Sequence, residues 1–151
     1  MYEAILVPTD GSDGTEEAIE HAIDLAGKYD AELHAIYVIE THDITWVDQA
    51  GDIREKLEAR GERAVNNVLE RAESADIEDI ETSIIEGKTY RAILTYVDDR
   101  DIDLVVMGTH GRTGLDRYLL GSVTEKIVRL SDIPVLTVPL AREGEKEASR
   151  V

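Results

Sequence analysis

The chain has 151 residues, enough to enclose one hydrophobic core, and carries 33 acidic against 16 basic side chains for a formal net charge of −17. That charge argues against affinity for nucleic acid or anionic membrane, both of them polyanions. The absence of cysteine removes disulfides, thiolate metal sites and thiol nucleophiles. No apolar run approaches the ~20 residues of a membrane span, and Met1 leads into a strand-like segment rather than a signal peptide, so a cytoplasmic location is expected.

Residues 3–9, EAILVPT, form a short apolar run. DGSDGTEE follows with turn residues and a helix-start signal in which Asp13 precedes Glu16 by three. A first helix is predicted to about Tyr29, with Ala18, Ile19, Ala22, Ile23 and Ala26 at helical spacing. A second strand is predicted at 32–39, then a polar loop through 40–50. A long amphipathic helix follows over 51–74, with Leu57, Ala64, Val65, Val68, Leu69 and Ala72 on one side. DIETSII at 79–85 reads as a third strand, and 89–99 as a helix burying Ala92, Ile93, Tyr96 and Val97. DLVVM at 103–107, a helix at 122–131 and IPVLTVP at 133–139 complete the alternation.

Strands alternating with helices at this spacing predict a parallel sheet covered on both faces by right-handed crossovers. The expected fold is a single-domain, Rossmann-like α/β/α sandwich with five parallel strands in the order 3-2-1-4-5. The domain is expected to span 1–140, with the charged segment 141–151 as a disordered tail.

Ligands of open α/β sheets sit beyond the carboxyl ends of the strands, where adjacent connections leave to opposite faces. Two segments qualify: TDGSDG after the first strand and GTHGRTGLDRYLLG, residues 108–121, after the fourth. The second far exceeds the usual strand-to-helix connection of about 2–6 residues. Its glycines let backbone amides approach an anion, and it delivers the chain into a helix whose free amides favour phosphate. In so acidic a chain, His110, Arg112 and Arg117 against the single Asp116 make a local cationic island. Neither a Gly-Lys-Ser/Thr phosphate loop nor a Gly-x-Gly-x-x-Gly fingerprint is present.

Gly108, Gly111 and Gly121-Ser122 fit the spacing Gly-x2-Gly-x9-Gly-Ser. With ILVPTDGSDGTEEAIEHAIDLA, LHAIYVIE, LVVMGTHGRTGLDRYLLGSVTEKIV and IPVLTVP, the chain resembles the ATP-binding branch of the universal stress protein family over nearly its whole length apart from the tail. The resemblance implies that Pro8, Thr9 and Asp10 flank adenine and ribose, and that the Val38 backbone reads the adenine edge. It places Met107 and Gly108 along the ribose and α-phosphate, and Gly111, Arg112, Gly121, Ser122, Val123 and Thr124 at the phosphates. It further implies ATP, AMP or ADP as ligand, with Mg or Mn beside the phosphates. A homodimer pairing through the fifth strand, Val135, Leu136, Thr137 and Val138, is also implied. The function expected is that of a nucleotide-dependent regulatory or stress-response protein with slow or no ATP hydrolysis.

Structural readings compete at several of these positions. Ser122 with Glu125 spells a Ser-x-x-Glu capping box, and Asp10 can cap the turn after the first strand. Arg117 suits a solvated or dimer-contact role, and His110 lacks an evident catalytic partner. His21, His34 and His42 are scattered over helix, strand and loop, which argues against a metal cluster. DDRDID at 98–103 reads as a solvated helix end, and Trp46 as a lid or partner contact. A nucleotide hydrolase or transferase related to the ATP pyrophosphatases is the enzymatic alternative, since TDGSDGT faintly resembles their loop. A dimerising module without nucleotide is another. A response-regulator receiver would need an acceptor Asp ending the third strand, where IIEGK offers none.

The acidic surface, with Arg outnumbering Lys and no Phe, resembles that of proteins from salt-accumulating cells. Salt shortens the Debye length to roughly 3 Å at 1 M and screens self-repulsion. The midpoint of thermal unfolding is therefore expected to rise from low to molar KCl; a flat or falling response contradicts salt adaptation.

Overall fold

The structure, a computed structural model, describes residues 1–41, 51–109 and 120–139. The elements run β1 (Ala4–Pro8), a 3-10 turn (Asp13–Thr15), α1 (Glu16–Tyr29), β2 (Glu32–Glu40), α2 (Asp52–Ser74) and β3 (Ile80–Gly87). They continue with α3 (Thr89–Asp99), β4 (Leu104–Gly108), α4 (Ser122–Leu130) and β5 (Val135–Val138). The five strands pair in parallel in the order β3-β2-β1-β4-β5.

β1 and β4 occupy the centre because neither has a polar side to show. Ile5, Leu6, Val7, Val105 and Val106 are fully buried, each stabilising by about 1.5–3 kcal/mol relative to exposure. Alternate residues feed two cores. Ile5, Val7, Leu104 and Val106 pack with Ala18, Ile19, Ala22 and Ala26 of α1 and Val68 and Ala72 of α2. Ala4, Leu6, Val105 and Met107 pack with Ile93, Tyr96 and Val97 of α3 and Ile127 of α4. Thus α1 and α2 cover one face and α3 and α4 the other.

Three helices stop in the same way. Asp30, Asp76 and Asp101 sit in the left-handed region at φ 52°, 62° and 52°, Asp30 directly after α1 and the other two in the second position past α2 and α3. After each, an apolar residue (Ala31, Ile77, Ile102) turns its N–H back to a carbonyl five residues earlier, on Ala26, Ala72 and Val97. This is the Schellman arrangement with aspartate in the place usually held by glycine. It corrects the reading of residues 98–103. Asp98 to Asp101 are exposed as expected, but Ile102 is buried and the Asp103 carboxylate accepts the backbone N–H groups of Glu3 (3.0 Å) and Ala4 (3.3 Å). Asp103 thereby ties the start of β1 to β4. The start of α1 also differs from expectation: Asp13 opens the 3-10 turn, and the helix begins only at Glu16 with no side-chain cap.

Gly61, in the middle of α2, lets the helix lie directly on the sheet. A Cβ there would stand 2.8 Å from Tyr37 Cδ1 and 3.3 Å from Ile84 Cδ1. Gly61→Val is expected to destabilise the fold by about 1–3 kcal/mol through overpacking, read as a lower urea midpoint. An unchanged midpoint would show that α2 is not held at this separation.

Candidate functional site

Because α1 follows β1 onto one face while α4 follows β4 onto the other, the chain separates between these neighbouring strands. A crevice therefore opens beyond their carboxyl ends.

On the β1 side, Pro8 is the last strand residue and Thr9 turns inward. Thr9 donates its N–H to Ile36 O (2.9 Å), and its hydroxyl is shared with Thr15 Oγ1 (3.2 Å) and accepts the Gly11 N–H (3.1 Å). Gly11 has φ +77°, and a Cβ on it would meet Ala64 Cβ of α2 at 3.4 Å, so turn and helix approach closely here. Asp10 Oδ1 accepts the Ser12 N–H at 2.8 Å and also the Ser12 hydroxyl. The turn-capping role foreseen for Asp10 is therefore realised.

On the β4 side, Met107 and Gly108 end the strand in buried positions. Thr109 donates its N–H to Val138 O at 3.1 Å, and its own carbonyl accepts the Gly121 N–H at 2.7 Å. The two feet of the long connection are thus pinned together beside β5. Thr124, 4% exposed, donates its hydroxyl to Gly108 O at 2.8 Å and fastens the first turn of α4 to the end of β4. Its side chain acts as a brace between the two elements.

The expected Ser122–Glu125 capping box does not form. Gly121 is the N-cap, at φ −60° and ψ 155°, and no side chain caps the helix. Ser122 is consequently the first helical residue and Glu125 the fourth, one position too late for the box. Glu125 donates its N–H to Gly121 O and pairs through its carboxylate with Arg129. No intrahelical carbonyl reaches the N–H groups of Ser122, Val123 and Thr124, as in the first turn of any α-helix. By contrast, α3 is capped from outside: the Glu40 carboxylate accepts the Thr89 N–H at 2.9 Å.

Val38 is half-buried and belongs, with Met107 and Val123, to the cluster beneath α3 and α4. These three residues therefore lie on one side of the crevice. Gly111 and Arg112, together with Trp46, His110 and Arg117, lie outside the described residues.

Two groups of charge were not anticipated. Tyr90, in the first turn of α3, has Lys126 Nζ 5.0 Å, Lys88 Nζ 5.5 Å and Arg91 Cζ 5.6 Å from its ring centroid. The Arg91 Nε–H donates to its hydroxyl at 3.0 Å, and this bond, helped by the three cations, holds the phenol below its ordinary pKa. α3 and α4 pack against each other, and Lys126 of α4 joins Lys88 and Arg91 around this ring. The second group is Arg60, Arg63 and Asn67, which line a cleft of about 510 Å³ with Asp10, Gly11 and Ser12. Their i, i+3, i+7 spacing on α2 was the signal available in the sequence.

At the sheet edge, β5 pairs with β4 alone. Val138 is buried, Val135 and Thr137 are half-buried, and Leu136 is 36% exposed beside a chain that also exposes Val128 and Leu130 on α4.

A five-stranded parallel sheet wound with helices on both faces and a switch point between β1 and β4 defines a doubly wound α/β protein. The universal stress protein family profile matches residues 1–139, and the chain belongs to that family. The universal stress protein MJ0531 of Methanocaldococcus jannaschii is 40% identical over 141 residues, covering 91% of this chain and 82% of that protein. YxiE of Bacillus subtilis is 30% identical over 148 residues, covering 91% and 99%. Among solved structures, M. jannaschii MJ0577 superposes with a TM-score of 0.84 at 30% identity, covering 95% of this chain and 99% of that one. A universal stress protein in complex with cAMP gives 0.69 at 27% identity, covering 93% and 98%. Among the described residues no helix is long and apolar enough to cross a membrane.

Proposed function

We propose that this chain is an adenine-nucleotide-binding regulatory protein of the ATP-binding branch of its family, with ATP as the principal ligand. The observation that carries the reading is the crevice between β1 and β4, closed on one side by the uncapped first turn of α4. A helix N-terminus offers free N–H donors and a positive dipole end to an anion. The Lys88, Arg91 and Lys126 group on the adjoining α3 and α4 supplies local positive charge in a chain of −17. The cAMP complex of a relative supports a nucleotide as the ligand class.

In this reading the adenine and ribose lie against Pro8, Thr9, Asp10 and Val38, and the phosphates run past Met107 and Gly108 to Gly111, Arg112 and Gly121 to Thr124. Mg or Mn bridges phosphate oxygens and offsets their charge. Asp10 keeps its turn bond to Ser12, which fixes the carboxylate for ribose contact rather than competing with it. The protein works as a homodimer through β5, whose single pairing partner and exposed Leu136 leave an edge for a second copy. Nucleotide binding, not turnover, is the activity, and it signals by favouring one of two conformations.

Gly121 tests this directly, because its φ and ψ are open to any residue and a side chain there adds bulk without backbone strain. Gly121→Val is expected to weaken ATP binding more than about tenfold, or 1.4 kcal/mol, in calorimetric titration with Mg or Mn, while unfolding stays cooperative. Unchanged affinity would remove the phosphates from this turn. Parallel titrations with AMP and cAMP, and a released-phosphate assay, rank the ligands and measure turnover.

A further inference from the structure

At the opposite, amino-terminal end of the sheet, Glu32 and His34 stand two residues apart on β2 and so share a face. The parallel register sets Glu81 of β3 directly beside His34. His34 is 2% exposed, while the side chains of Glu32 and Glu81 are 46% and 38% exposed. One donor atom from each of the three lies within 4.8 Å of the others, the one such group of three among the described residues.

The imidazole is held from behind. Nδ1 is 2.7 Å from the Tyr96 hydroxyl of α3, and the two rings meet edge to face. Nε2 is buried and has no hydrogen-bond partner, although Glu32 Oε1 is only 2.8 Å away. The carboxylate oxygen therefore stands off the line along which an Nε2–H would donate. The buried Nε2 is thus left without a hydrogen-bond partner, and Glu32 Oε1 would move out from 2.8 Å to about 3.3 Å to share with it a tetrahedral ion bonded at about 2.0–2.1 Å.

The geometry points to a divalent transition-metal site formed by Glu32, His34 Nε2 and Glu81, of a kind suited to zinc. Mixed imidazole and carboxylate donors favour such an ion over magnesium, and the Tyr96 contact on Nδ1 fixes the ring as an outer partner does in metal sites. The half-exposed carboxylates give the ion a path from solvent; Glu81 Oε2 lies 3.6 Å from Nδ1, the nitrogen bonded to Tyr96, so its side chain turns toward Nε2 to join Glu32 on the ion. Arg100 is the opposing charge: it pairs with Glu81 Oε1 and lies 5.2 Å from the Tyr96 ring. The bound ion joins edge strand β3 to β2 and, through Tyr96, to α3. This site is independent of the nucleotide crevice.

The test uses the full chain, stripped with EDTA and free of nucleotide, titrated with zinc against a chromophoric chelator. One zinc per chain is expected, with Glu32→Gln weakening it at least about tenfold and His21→Gln, on exposed α1, leaving it unchanged. Because His34→Gln risks the fold, the wild-type ring is followed by 15N NMR: His34 Nε2 should shift on zinc addition and carry no proton. Equal zinc affinity in Glu32→Gln, or a His34 Nε2 that retains its proton at saturating zinc, would overturn the site.

Discussion

The side-by-side pairing of β1 and β4, both buried on two faces, is the constraint from which the rest of the structure follows. With no polar side, the two strands must be covered above and below, and the helices that follow them divide the work. Their departure to opposite faces opens the crevice. The same division decides what lines it: the Thr9 to Ser12 turn comes from the strand leading to α1, and the Gly121 turn from the connection leading to α4. The bonds from Thr109 to Val138 and from Gly121 to Thr109 then hold the mouth of the long connection at the β4–β5 junction, whatever its middle does.

Electrostatics act on two scales here. At long range a net charge of −17 opposes approach of polyanions, and salt screens the repulsion among its own carboxylates. At short range Lys88, Arg91 and Lys126 converge on Tyr90 and, with the Arg91 hydrogen bond foremost, favour its ionised form. Local field and free amides, not net charge, decide whether a phosphate is held. The cleft lined by Arg60, Arg63 and Asn67 is the competing site for an anionic ligand, but Asp10 and Glu16 line it too and offset its two arginines.

Much of the fold was legible in the sequence because period and spacing report burial directly. The continuous apolar runs ILV and LVVM could only be central strands, and Ala18, Ile19, Ala22 and Ala26 mark the buried face of α1. What failed depended on single bonds at element ends. Ser122-x-x-Glu125 reads as a capping box unless one knows that Gly121 starts the helix, and Asp13 to Glu16 reads as a helix start unless the 3-10 turn is seen. Aspartates that terminate helices in a left-handed conformation are indistinguishable by composition from solvated ones. Glycine spacing marked the connection after β4 as a candidate phosphate site, whereas the candidates at the end of β1 came from the family resemblance. The convergence of Lys88, Arg91 and Lys126 was not, because it needs the packing of α3 on α4. The Glu32, His34 and Glu81 group escaped for a related reason: scanning histidines along the chain misses carboxylates that strand register brings alongside one of them.

The most direct measurement of the central claim, that nucleotide occupies the β1/β4 crevice, is an amide 1H–15N titration of the full chain with ATP and magnesium. The account predicts the largest shifts at Thr9, Gly108 and Ser122 to Thr124, with Glu32, His34 and Glu81 undisturbed. Shifts confined to Ser12, Arg60, Arg63 and Asn67, or none at the first turn of α4, would contradict it.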